Sequence, residues 1–313
     1  MAAQDREVEV DGRTLKLTNL GKVLYPKAGF TKGEMIDYYA RIAEVMVPHL
    51  AGRAVTLRRF PEGADNLEAA FFEKRCPKHR PKWVKTATVT AGPHAGKIDF
   101  CVCDGRPTLI WMAQLAAIEL HPSLSIARRP AQPTVLAFDL DPGPPANVVD
   151  CCRIALQLRA MFEHFDLQCF PKTTGSKGLQ VYLPLNVKSH YDETKPFARA
   201  LAQLLEKQTG QVVSKMSKEI RKGKVFVDWS QNHPRKTTVA VYSMRARERP
   251  TVSTPVTWEE VERCAEEGDK NLLVFEASEV LERVEEHGDL FAPVLELEQK
   301  LPKFGELSAS ASE

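Results

Sequence analysis

Two carboxylates at the end of one predicted strand are the residues of this sequence best suited to chemistry. The segment Thr134–Gly143, TVLAFDLDPG, is typical of a β-strand that ends at a Pro-Gly turn. Side chains alternate between the faces of a strand, so Asp139 and Asp141 share one face, and apolar residues that should pack on helices share the other. Two like charges on one face repel unless a cation lies between them, and paired carboxylates suit Mg²⁺ or Mn²⁺. We therefore expect a divalent metal site here, the alternative being two solvated acids.

The elements that follow predict where a third acid lies. After the strand at residue 134 the pattern predicts a helix over residues 146–165, two strands, a second helix and two more strands. In chain order these later elements are Cys169–Lys172, Leu179–Leu185, Thr194–Lys207, Val225–Trp229 and Thr237–Met244. Apart from the last strand this is the split βαβ plan, which places the first strand between the third and the fourth. Asp228 should then lie beside the first two acids, with Gln180 on their other side, and three converging carboxylates suit two-metal phosphoryl transfer.

Three further segments carry groups that could bind phosphates. The turn in KTTGSKG, residues 172–178, offers backbone N–H groups and Lys177, although it is not a Walker A motif. In KTTVAVYSMRAR, residues 236–247, Arg245 lies on one face of a predicted strand and could bind a triphosphate bidentately. Residues 215–224 form a basic loop, which either tracks phosphates or is simply solvated. Its cations are Lys215, Lys218, Arg221, Lys222 and Lys224, opposed only by Glu219.

A helix near the N-terminus predicts an anion site. Thr31 and Glu34 form a capping-box pattern before an apolar stripe, so a helix should begin there. Lys22 precedes this helix and Lys32 lies in its first turn, where a lysine opposes the helix dipole unless an anion is bound. The alternative is two solvated lysines.

Adjacent phenylalanines in a basic segment suggest a contact with a nucleic-acid base. Arg58 and Arg59 end a predicted strand, and Phe71 and Phe72 follow in a stretch rich in Lys and Arg. In a strand the two rings would point to opposite faces, so one should lie in the core and the other should be exposed. An exposed ring beside cations can stack on a base, whereas the alternative is two core phenylalanines. Downstream, Pro107–His121 is predicted to be a strand followed by a buried helix.

Composition is that of an ordinary globular protein, with 43% hydrophobic and 27% charged residues among 313. No apolar run reaches transmembrane length and the N-terminus lacks a signal-like segment, so we expect a cytoplasmic protein. Residues 51–97 carry ten Lys or Arg against four Asp or Glu, whereas residues 257–313 carry five against sixteen. This asymmetry favours one basic face for a polyanion, or else is ordinary patchiness. We divide the chain into an N-terminal α/β module (1–130), a catalytic module (131–300) and a disordered tail (301–313).

The seven cysteines, an odd number, argue against a secreted disulfide framework. A zinc site formed by Cys76, His79, Cys101 and Cys103 is conceivable from their spacing. The alternative is that Cys101 and Cys103 are buried strand residues. Because neither pair has a second C-x-x-C partner, we expect no zinc.

Several motifs, taken in order, resemble the polymerase domain of bacterial ligase D, which belongs to the archaeo-eukaryotic primase superfamily. They are TNLGKVLYPKAGFTK, AFFEK, FDLDPG, KTTGSKGLQVYLPL, GKVFVDWSQN and KTTVAVYSMRAR, and the resemblance extends roughly from Val8 to Leu290. It implies an α/β (α+β) primase-polymerase fold, with a split-βαβ, RRM-like catalytic sheet and an N-terminal α/β module packed on it. It also implies a template-dependent polymerase that extends a primer 3′-hydroxyl with nucleoside triphosphates, using two Mn²⁺ or Mg²⁺ ions.

Matched to this sequence, the family's functional residues fall on the same candidates. The implied metal ligands are Asp139, Asp141 and Asp228, and the implied DNA 5′-phosphate contacts are Asn19, Lys22 and Lys32. The implied nucleotide contacts are Arg58, Thr174, Ser176, Lys177, Gly178, Gln180 and Arg245. Phe72, with Phe71 beside it, matches an aromatic residue that stacks on a template base, and Lys215 and Arg221 lie in the loop that contacts DNA. A K-x-D-G ligase motif is not found, so a stand-alone relative or an excised domain is expected.

One position departs from the family, because Gln180 stands where a histidine is usual. Glutamine donates a hydrogen bond but carries no positive charge, so nucleotide binding could be weaker. A non-catalytic module that binds 5′-phosphorylated DNA ends is therefore one alternative, and a phosphatase with Asp139 as nucleophile and Asp141 as acid/base is another. The implied setting is a monomer in the bacterial cytoplasm, associated with the nucleoid, in non-homologous end joining or excision repair. Its implied partners are gapped or broken DNA, a separately encoded ATP-dependent ligase and the end-binding protein Ku.

Overall fold

The computed structural model describes residues 5–92, 96–217 and 219–302. Its strands, numbered in chain order, are β1 (Arg6–Val10), β2 (Arg13–Leu17), β3 (Val23–Tyr25), β4 (Phe30–Thr31), β5 (Arg53–Arg59), β6 (Phe71–Glu73), β7 (Thr86–Gly92), β8 (Gly96–Cys101), β9 (Ala117–Ile126), β10 (Val135–Pro142), β11 (Phe170–Thr173), β12 (Leu179–Pro184), β13 (Val212–Val213) and β14 (Val225–Asp228). Its helices are α1 (Lys32–Leu50), α2 (Arg106–Gln114), α3 (Val148–Glu163), α4 (Tyr191–Thr209), α5 (Trp258–Glu267), α6 (Ala277–His287) and α7 (Pro293–Glu296). Among these helices, none combines the length and the apolarity that crossing a bilayer requires. The expected disordered tail, from residue 303 onward, and Lys218 of the basic loop lie outside the described residues.

The chain folds into two compact units, each made of several segments. The first comprises Met1–Arg128, Thr237–Thr254 and Val274–Leu290, and the second comprises Arg129–Lys236, Pro255–Leu273 and Phe291–Glu313. A boundary near residue 130 therefore separates the units only in the first part of the chain. Beyond residue 236 the chain returns twice to the first unit, which a division into consecutive modules does not describe.

The second unit is built on a five-stranded sheet with strand order β11-β12-β10-β14-β13. Strand β10 is central and pairs antiparallel with β12 on one side and with β14 on the other. The predicted split βαβ arrangement, with the first strand between the third and the fourth, is confirmed. The far edge is formed by the short β13, which runs parallel to β14.

The apolar face of this sheet packs on helices, as the alternation in β10 predicted. Leu136, Phe138 and Leu140 are fully buried. The ring of Phe138 lies 5.8 Å from that of Phe162 on α3. Burying one Leu or Phe side chain contributes about 1.5–3 kcal/mol, so this face fixes the strand in its central position. The polar side chains of β10 are thereby directed to the opposite face.

The segment Thr237–Met244 was predicted to be one further strand after the split βαβ elements, and this prediction is wrong. It forms isolated bridges only at its two ends. The N–H groups of Thr238 and Ala240 donate to carbonyl groups of β9, so the segment follows that strand in the first unit. Tyr242 has a left-handed φ of 63°, which interrupts the extended backbone. The apolar alternation that suggested a strand reflects burial in an irregular segment.

The first unit contains a sheet with strand order β6-β5-β8-β7, in which β9 also pairs with β5. Helix α1 begins where the sequence predicted. The Thr31 side chain accepts a hydrogen bond from the backbone N–H of Glu34, and the Glu34 carboxylate accepts one from the N–H of Thr31. The apolar stripe of α1, including Met35, Ile42 and Met46, is fully buried. Strand β6 lies at the edge of the sheet, which matters for the aromatic residues it carries.

The order of elements within Pro107–His121 is the reverse of the prediction. Helix α2 comes first and strand β9 follows it. Gly105 is the N-cap of α2, and Pro107 lies in the first turn, where its fixed φ and missing N–H group are tolerated. The proline therefore marks the start of a helix, whereas the prediction took it as the start of a strand.

Two of the residues considered for a zinc site are joined to each other. Cys76 and Cys101 form a disulfide, with their Cα atoms 4.8 Å apart, so neither offers the thiolate that zinc requires. Cys103 is buried, and burial raises the pKa of its thiol to about 12. The alternative, in which Cys101 and Cys103 are buried strand residues, holds for the burial of both, but only Cys101 lies in a strand because β8 ends there.

Candidate active site

Three carboxylates lie on the polar face of β10 and β14. Asp139 is directly opposite Asp228 in the antiparallel register, and Asp141 pairs with Phe226. Residues directly opposite in such a pair have Cβ atoms about 4.5–5.5 Å apart, and diagonal neighbours about 7–8 Å apart. The structure therefore brings Asp141 diagonally next to Asp228 and all three acids to one end of the central strands, as the split βαβ plan predicted.

Each carboxylate has hydrogen-bond partners within the second unit. Asp139 Oδ1 accepts a hydrogen bond from Gln180 Nε2 at 3.1 Å. Gln180 lies on β12, the neighbour of β10 on the side away from β14. Asp228 Oδ1 accepts from the backbone N–H of Ser230 at 2.9 Å and from its hydroxyl at 2.5 Å, and Asp228 Oδ2 accepts from Gln231 Nε2 at 3.0 Å. These bonds fix the orientation of the first and third acids.

Two cations neutralise the second acid. Lys177 Nζ lies 3.0 Å from Asp141 Oδ1, and Arg221 lies 3.4 Å from Asp141 Oδ2. The Arg221 guanidinium also stacks 3.8 Å from the centre of the Phe226 ring. Asp141 is thus already surrounded by positive charge from the KTTGSKG turn and from the basic loop.

Asp139 holds its proton more tightly than an ordinary aspartate. Its pKa is raised from 3.8 to about 6, chiefly by burial and also by the charges of Asp228 and Asp141, while the Gln180 hydrogen bond opposes the rise. Lys172, a fully buried lysine opposite Gln180 on β11, also lowers this pKa. A row of Lys172, Gln180, Asp139 and Asp228 therefore crosses four neighbouring strands. The sequence reasoning missed Lys172, although a lysine beside apolar strand residues was a signal.

The donor set fits a divalent metal in its chemistry. Carboxylate oxygens are the ligands that Mg²⁺ and Mn²⁺ prefer, and like-charged acids facing one another gain from a shared cation. In the part of the chain that the structure describes, no three His, Cys, Asp or Glu side chains are arranged to hold an ion as they stand. The reason is local, because Asp141 and Asp228 are turned toward their protein partners. They would have to exchange those partners to share an ion.

The KTTGSKG turn connects β11 and β12, and its own side chains use its backbone donors. The hydroxyl of Thr174 accepts hydrogen bonds from the N–H groups of Ser176 and Gly178. A Cβ atom on Gly178 would lie 2.2 Å from the Leu140 carbonyl oxygen, so only glycine lets the turn approach β10 this closely. Most N–H groups of the turn are therefore already hydrogen-bonded within it and do not form the expected phosphate-binding cradle. Lys177 is the residue of the turn that contacts an acid, Asp141.

The basic loop is tied to the turn that follows β10. The N–H of Gly143 donates to Lys224 and its carbonyl accepts from Gly223, at 2.8 and 2.9 Å. A Cβ atom on Gly143 would lie 1.9 Å from the Arg221 carbonyl oxygen. Glycine at this position thus permits the contact that brings Arg221 to Asp141. Lys215, the other residue of this loop predicted to contact DNA, is exposed.

In the first unit a buried glutamate holds the two predicted nucleotide-binding arginines together. Glu119 on β9 lies 3.2 Å from Arg58 and 3.2 Å from Arg245, and 2.9 Å from His121 Nε2. Burial alone would raise the pKa of Glu119, but the His121 hydrogen bond and the charges of Arg245 and Arg58 hold it well below its usual range. Sequence reasoning missed Glu119 and His121. Two ionisable residues spaced by two, and therefore on one face of a largely buried strand, were the available signal.

Both adjacent phenylalanines are exposed, which corrects the prediction that one would be buried. Phe71 is 43% exposed and Phe72 is 56% exposed, because β6 is an edge strand and neither face is covered. The Arg59 guanidinium lies 5.3 Å from the Phe71 ring. Arg58 lies 5.1 Å from the Phe72 ring, and His121 lies 5.5 Å from it. The Phe72 ring is therefore exposed and lies against Arg58 and His121, which both contact Glu119.

The predicted anion site at α1 keeps its cations but not its backbone donors. The N–H groups of Lys32 and Gly33 donate to carbonyls of the preceding loop, each at 2.8 Å, and the N–H of Glu34 donates to Thr31. The backbone N–H groups of the first turn are therefore not free to bind an anion. The side chains remain the candidate ligands.

Lys32 lies in a crowded cationic environment. Its ammonium group is buried and donates to the Thr18 carbonyl at 2.9 Å. Burial, with the nearby charges of Lys22 and Arg59, lowers its pKa to about 8. Lys22 pairs with Glu62 at 3.1 Å, and its N–H donates to the carbonyl of Asn19, which has a left-handed φ of 55°. An added anion would relieve the repulsion among these cations.

Comparison with known proteins gives a consistent result. The family model of the LigD primase-polymerase domain matches residues 31–291. The multifunctional non-homologous end joining protein LigD of Mycolicibacterium smegmatis is 42% identical over 283 residues, which cover 90% of this chain and 36% of that protein. The bifunctional non-homologous end joining protein LigD of Bacillus subtilis is 29% identical over 279 residues, which cover 88% of this chain and 43% of that protein. The chain thus spans well under half the length of these relatives.

A solved structure matches over nearly its whole length. The polymerase domain from Mycobacterium tuberculosis ligase D in complex with DNA has a TM-score of 0.82 and 39% identity, covering 90% of this chain and 98% of that one. The primase-polymerase fold expected from the sequence motifs is therefore confirmed. The region matched by the family model, residues 31–291, includes all three acids.

Proposed function

The chain belongs to the LigD primase-polymerase family, and on this basis we propose that it is a template-dependent nucleotidyltransferase of DNA repair. In this proposal it extends a 3′-hydroxyl at short gaps or broken ends, using ribo- or deoxynucleoside triphosphates. The observation that carries the proposal is the position of Asp139, Asp141 and Asp228 on one face of two adjacent strands. Family membership supports it, since the solved relative is a polymerase domain bound to DNA.

We assign the three carboxylates to two Mn²⁺ or Mg²⁺ ions. Such ions, when bound, activate the attacking hydroxyl and stabilise charge on the transferred phosphoryl group and the leaving oxygen. The protein gathers the acids, and Gln180 keeps Asp139 oriented through its hydrogen bond. Lys177 and Arg221 now neutralise Asp141, and once released they would be available to the anionic triphosphate.

The first unit supplies the remaining contacts in this proposal. Arg58 and Arg245, held by Glu119, bind the phosphates or the template near the nucleotide, where a planar guanidinium can act bidentately. Phe72 stacks on a template base, because it is an exposed ring flanked by a cation. Lys22 and Lys32, with Asn19, bind the 5′-phosphate at the far side of a gap.

The cellular setting follows from the relatives and is part of the proposal. Those relatives are named as non-homologous end joining proteins. We therefore propose that it fills gaps at DNA ends or in excision repair, as a cytoplasmic monomer. A separately encoded ATP-dependent ligase would seal the product, and Ku would bring it to broken ends.

Primer extension on a one-nucleotide gap tests the proposal. The substrates compare a 5′-phosphate with a 5′-hydroxyl, ribo- with deoxynucleotides, and Mn²⁺ with Mg²⁺. We expect addition of the complementary nucleotide, favoured by the 5′-phosphate and lost in Asp139→Asn. The control is Asp166→Asn, which removes an exposed acid of the same unit and should keep full activity.

One specific observation favours a second candidate function. Gln180 contacts Asp139 as a neutral donor where the family usually has a histidine, so the site lacks one titratable charge. If the protein binds gapped, 5′-phosphorylated DNA but incorporates no nucleotide with either metal, it is a non-catalytic DNA-end binding module.

A further inference from the structure

A group of cations surrounds Trp229 on the second unit, outside the residues assigned above. Lys195 Nζ lies 5.9 Å from the centre of the indole ring, and the Arg199 guanidinium lies 5.4 Å from it. The indole is held in place because its Nε1–H donates to the Ser214 carbonyl at 3.0 Å. We call Lys195, Arg199, Trp229, His233 and Arg235 the Trp229 cluster.

The charges of the Trp229 cluster are not compensated by acids. Throughout the residues that the structure describes, Lys195, Arg199 and Arg235 have no carboxylate within ion-pair distance. Lys195 and Arg199 are four residues apart on α4, a spacing at which like charges repel and destabilise a helix. Burial, with the charges of Lys195 and Arg235, lowers the pKa of His233, which agrees with a locally positive field. Such a surface gains most from an anionic ligand.

The cluster is connected to the third acid of the active site. Trp229 directly follows Asp228 in a short helical turn. Lys236 Nζ donates to Ser230 Oγ at 2.5 Å, and that hydroxyl donates to Asp228 Oδ1 at 2.5 Å. Through Lys236 and Ser230, the segment that carries Trp229, His233 and Arg235 is therefore hydrogen-bonded to the third acid. A strand with its 3′ end at the acids must run away from them over neighbouring protein surface, and its first phosphates need cations there.

We propose that the Trp229 cluster binds the phosphodiester backbone of the strand being extended, so that a single-stranded 3′ tail is held on its way to the acids. This rests on the proposed function and adds a site to it. A nucleic-acid backbone fits better than an acidic protein, because protein interfaces need apolar anchors in addition to charge. The large apolar side chains that are exposed, such as Phe72, Met216 and Val274, do not belong to the cluster. The Trp229 indole lies against Lys195 and Arg199, so it positions these two cations and is not an apolar anchor for a protein partner.

The test measures binding of a fluorescent single-stranded DNA oligonucleotide by anisotropy over a series of salt concentrations, without metal or nucleotide. The variant is Lys195→Gln/Arg199→Gln. The matched control is Lys207→Gln/Arg263→Gln, which removes two exposed helix cations of the same unit. We expect the slope of log K against log salt to become shallower by about 0.7 for each phosphate that the variant no longer neutralises, and the affinity at moderate salt to fall about tenfold. The control should keep both.

The outcomes separate this inference from the proposed function. Unchanged affinity and salt slope in Lys195→Gln/Arg199→Gln overturns the inference, even if the wild type extends primers normally. Displacement of the oligonucleotide by poly-L-glutamate as effectively as by unlabelled DNA also overturns it, and assigns the surface to an acidic protein. Failure of primer extension by the wild type overturns the proposed function but leaves the binding result standing. Thermal melting should match for both variants, because surface substitutions usually change stability by less than about 0.5 kcal/mol.

Discussion

Asp139 on β10 lies directly opposite Asp228 on β14, so two carboxylates face each other across one antiparallel pair. Like charges directly opposite in a sheet are destabilising, and here Asp228 is buried and Asp139 is half-buried. Such an arrangement costs stability in the isolated protein. It is explained if the acids act together on a cation.

The first prediction concerns the stability of the metal-free protein. The pKa of Asp139 is raised to about 6 in the folded state, from 3.8. The stability this group contributes is therefore fully present at low pH and is lost as the pH rises through about 6. Asp139→Asn should melt a few degrees higher than the wild type at pH 7 without divalent ions, and the difference should shrink at pH 5. Asp166→Asn is the control, and an equal melting difference at both pH values would contradict the prediction.

The second prediction concerns Glu119. Glu119→Gln removes the buried charge that Arg58 and Arg245 share, and breaking a buried ion pair typically costs about 3–5 kcal/mol. We expect a lower free energy of unfolding, measured by denaturant titration. Below the melting temperature, KM for the nucleotide should rise more than kcat falls, because the arginines bind phosphate while the acids are unchanged.

Glu73→Gln is the matched control, since it breaks the Arg59 pair on the neighbouring strand. It should lose less stability and leave KM for the nucleotide nearly unchanged. A merely structural Glu119 would lower the amount of folded enzyme without changing KM.

The third prediction concerns pH and the 5′-phosphate. The pKa of Lys32 is lowered to about 8 by burial and by Lys22 and Arg59, so Lys32 loses its charge as the pH rises above 8. Binding of a 5′-phosphorylated end should be about tenfold weaker at pH 9 than at pH 7, since phosphate binds the charged form. A 5′-hydroxyl end should show no such dependence. In Lys32→Arg the guanidinium stays charged, so a persisting pH dependence in that variant would assign it to another group.

The catalytic sheet could be predicted from the sequence because its signals are local and repeated. Alternation in TVLAFDLDPG fixes which side chains share a face, and the split βαβ plan fixes which strands are neighbours. Together they place Asp139, Asp228 and Gln180 in adjacent strands before any coordinates are known. The structure has this register.

The features that sequence reasoning missed depend on contacts between distant segments. Glu119 organises Arg58 and Arg245, which are 61 residues before it and 126 residues after it, and no periodic pattern reports such a partnership. Phe71 is exposed because β6 is an edge strand, and edge position is a property of the whole sheet. The helix donors of α1 are taken by a loop whose conformation the capping box does not specify.

The most direct test of the shared metal site is a calorimetric titration of the protein with Mn²⁺ at pH 7. It compares the wild type with Asp139→Asn, Asp141→Asn and Asp228→Asn, and with Asp166→Asn as control. We expect the wild type and the control to bind Mn²⁺ equally, and each of the three other variants to lose an ion or to bind it much more weakly. Equal Mn²⁺ binding by all five proteins would contradict the claim that Asp139, Asp141 and Asp228 share metal ions.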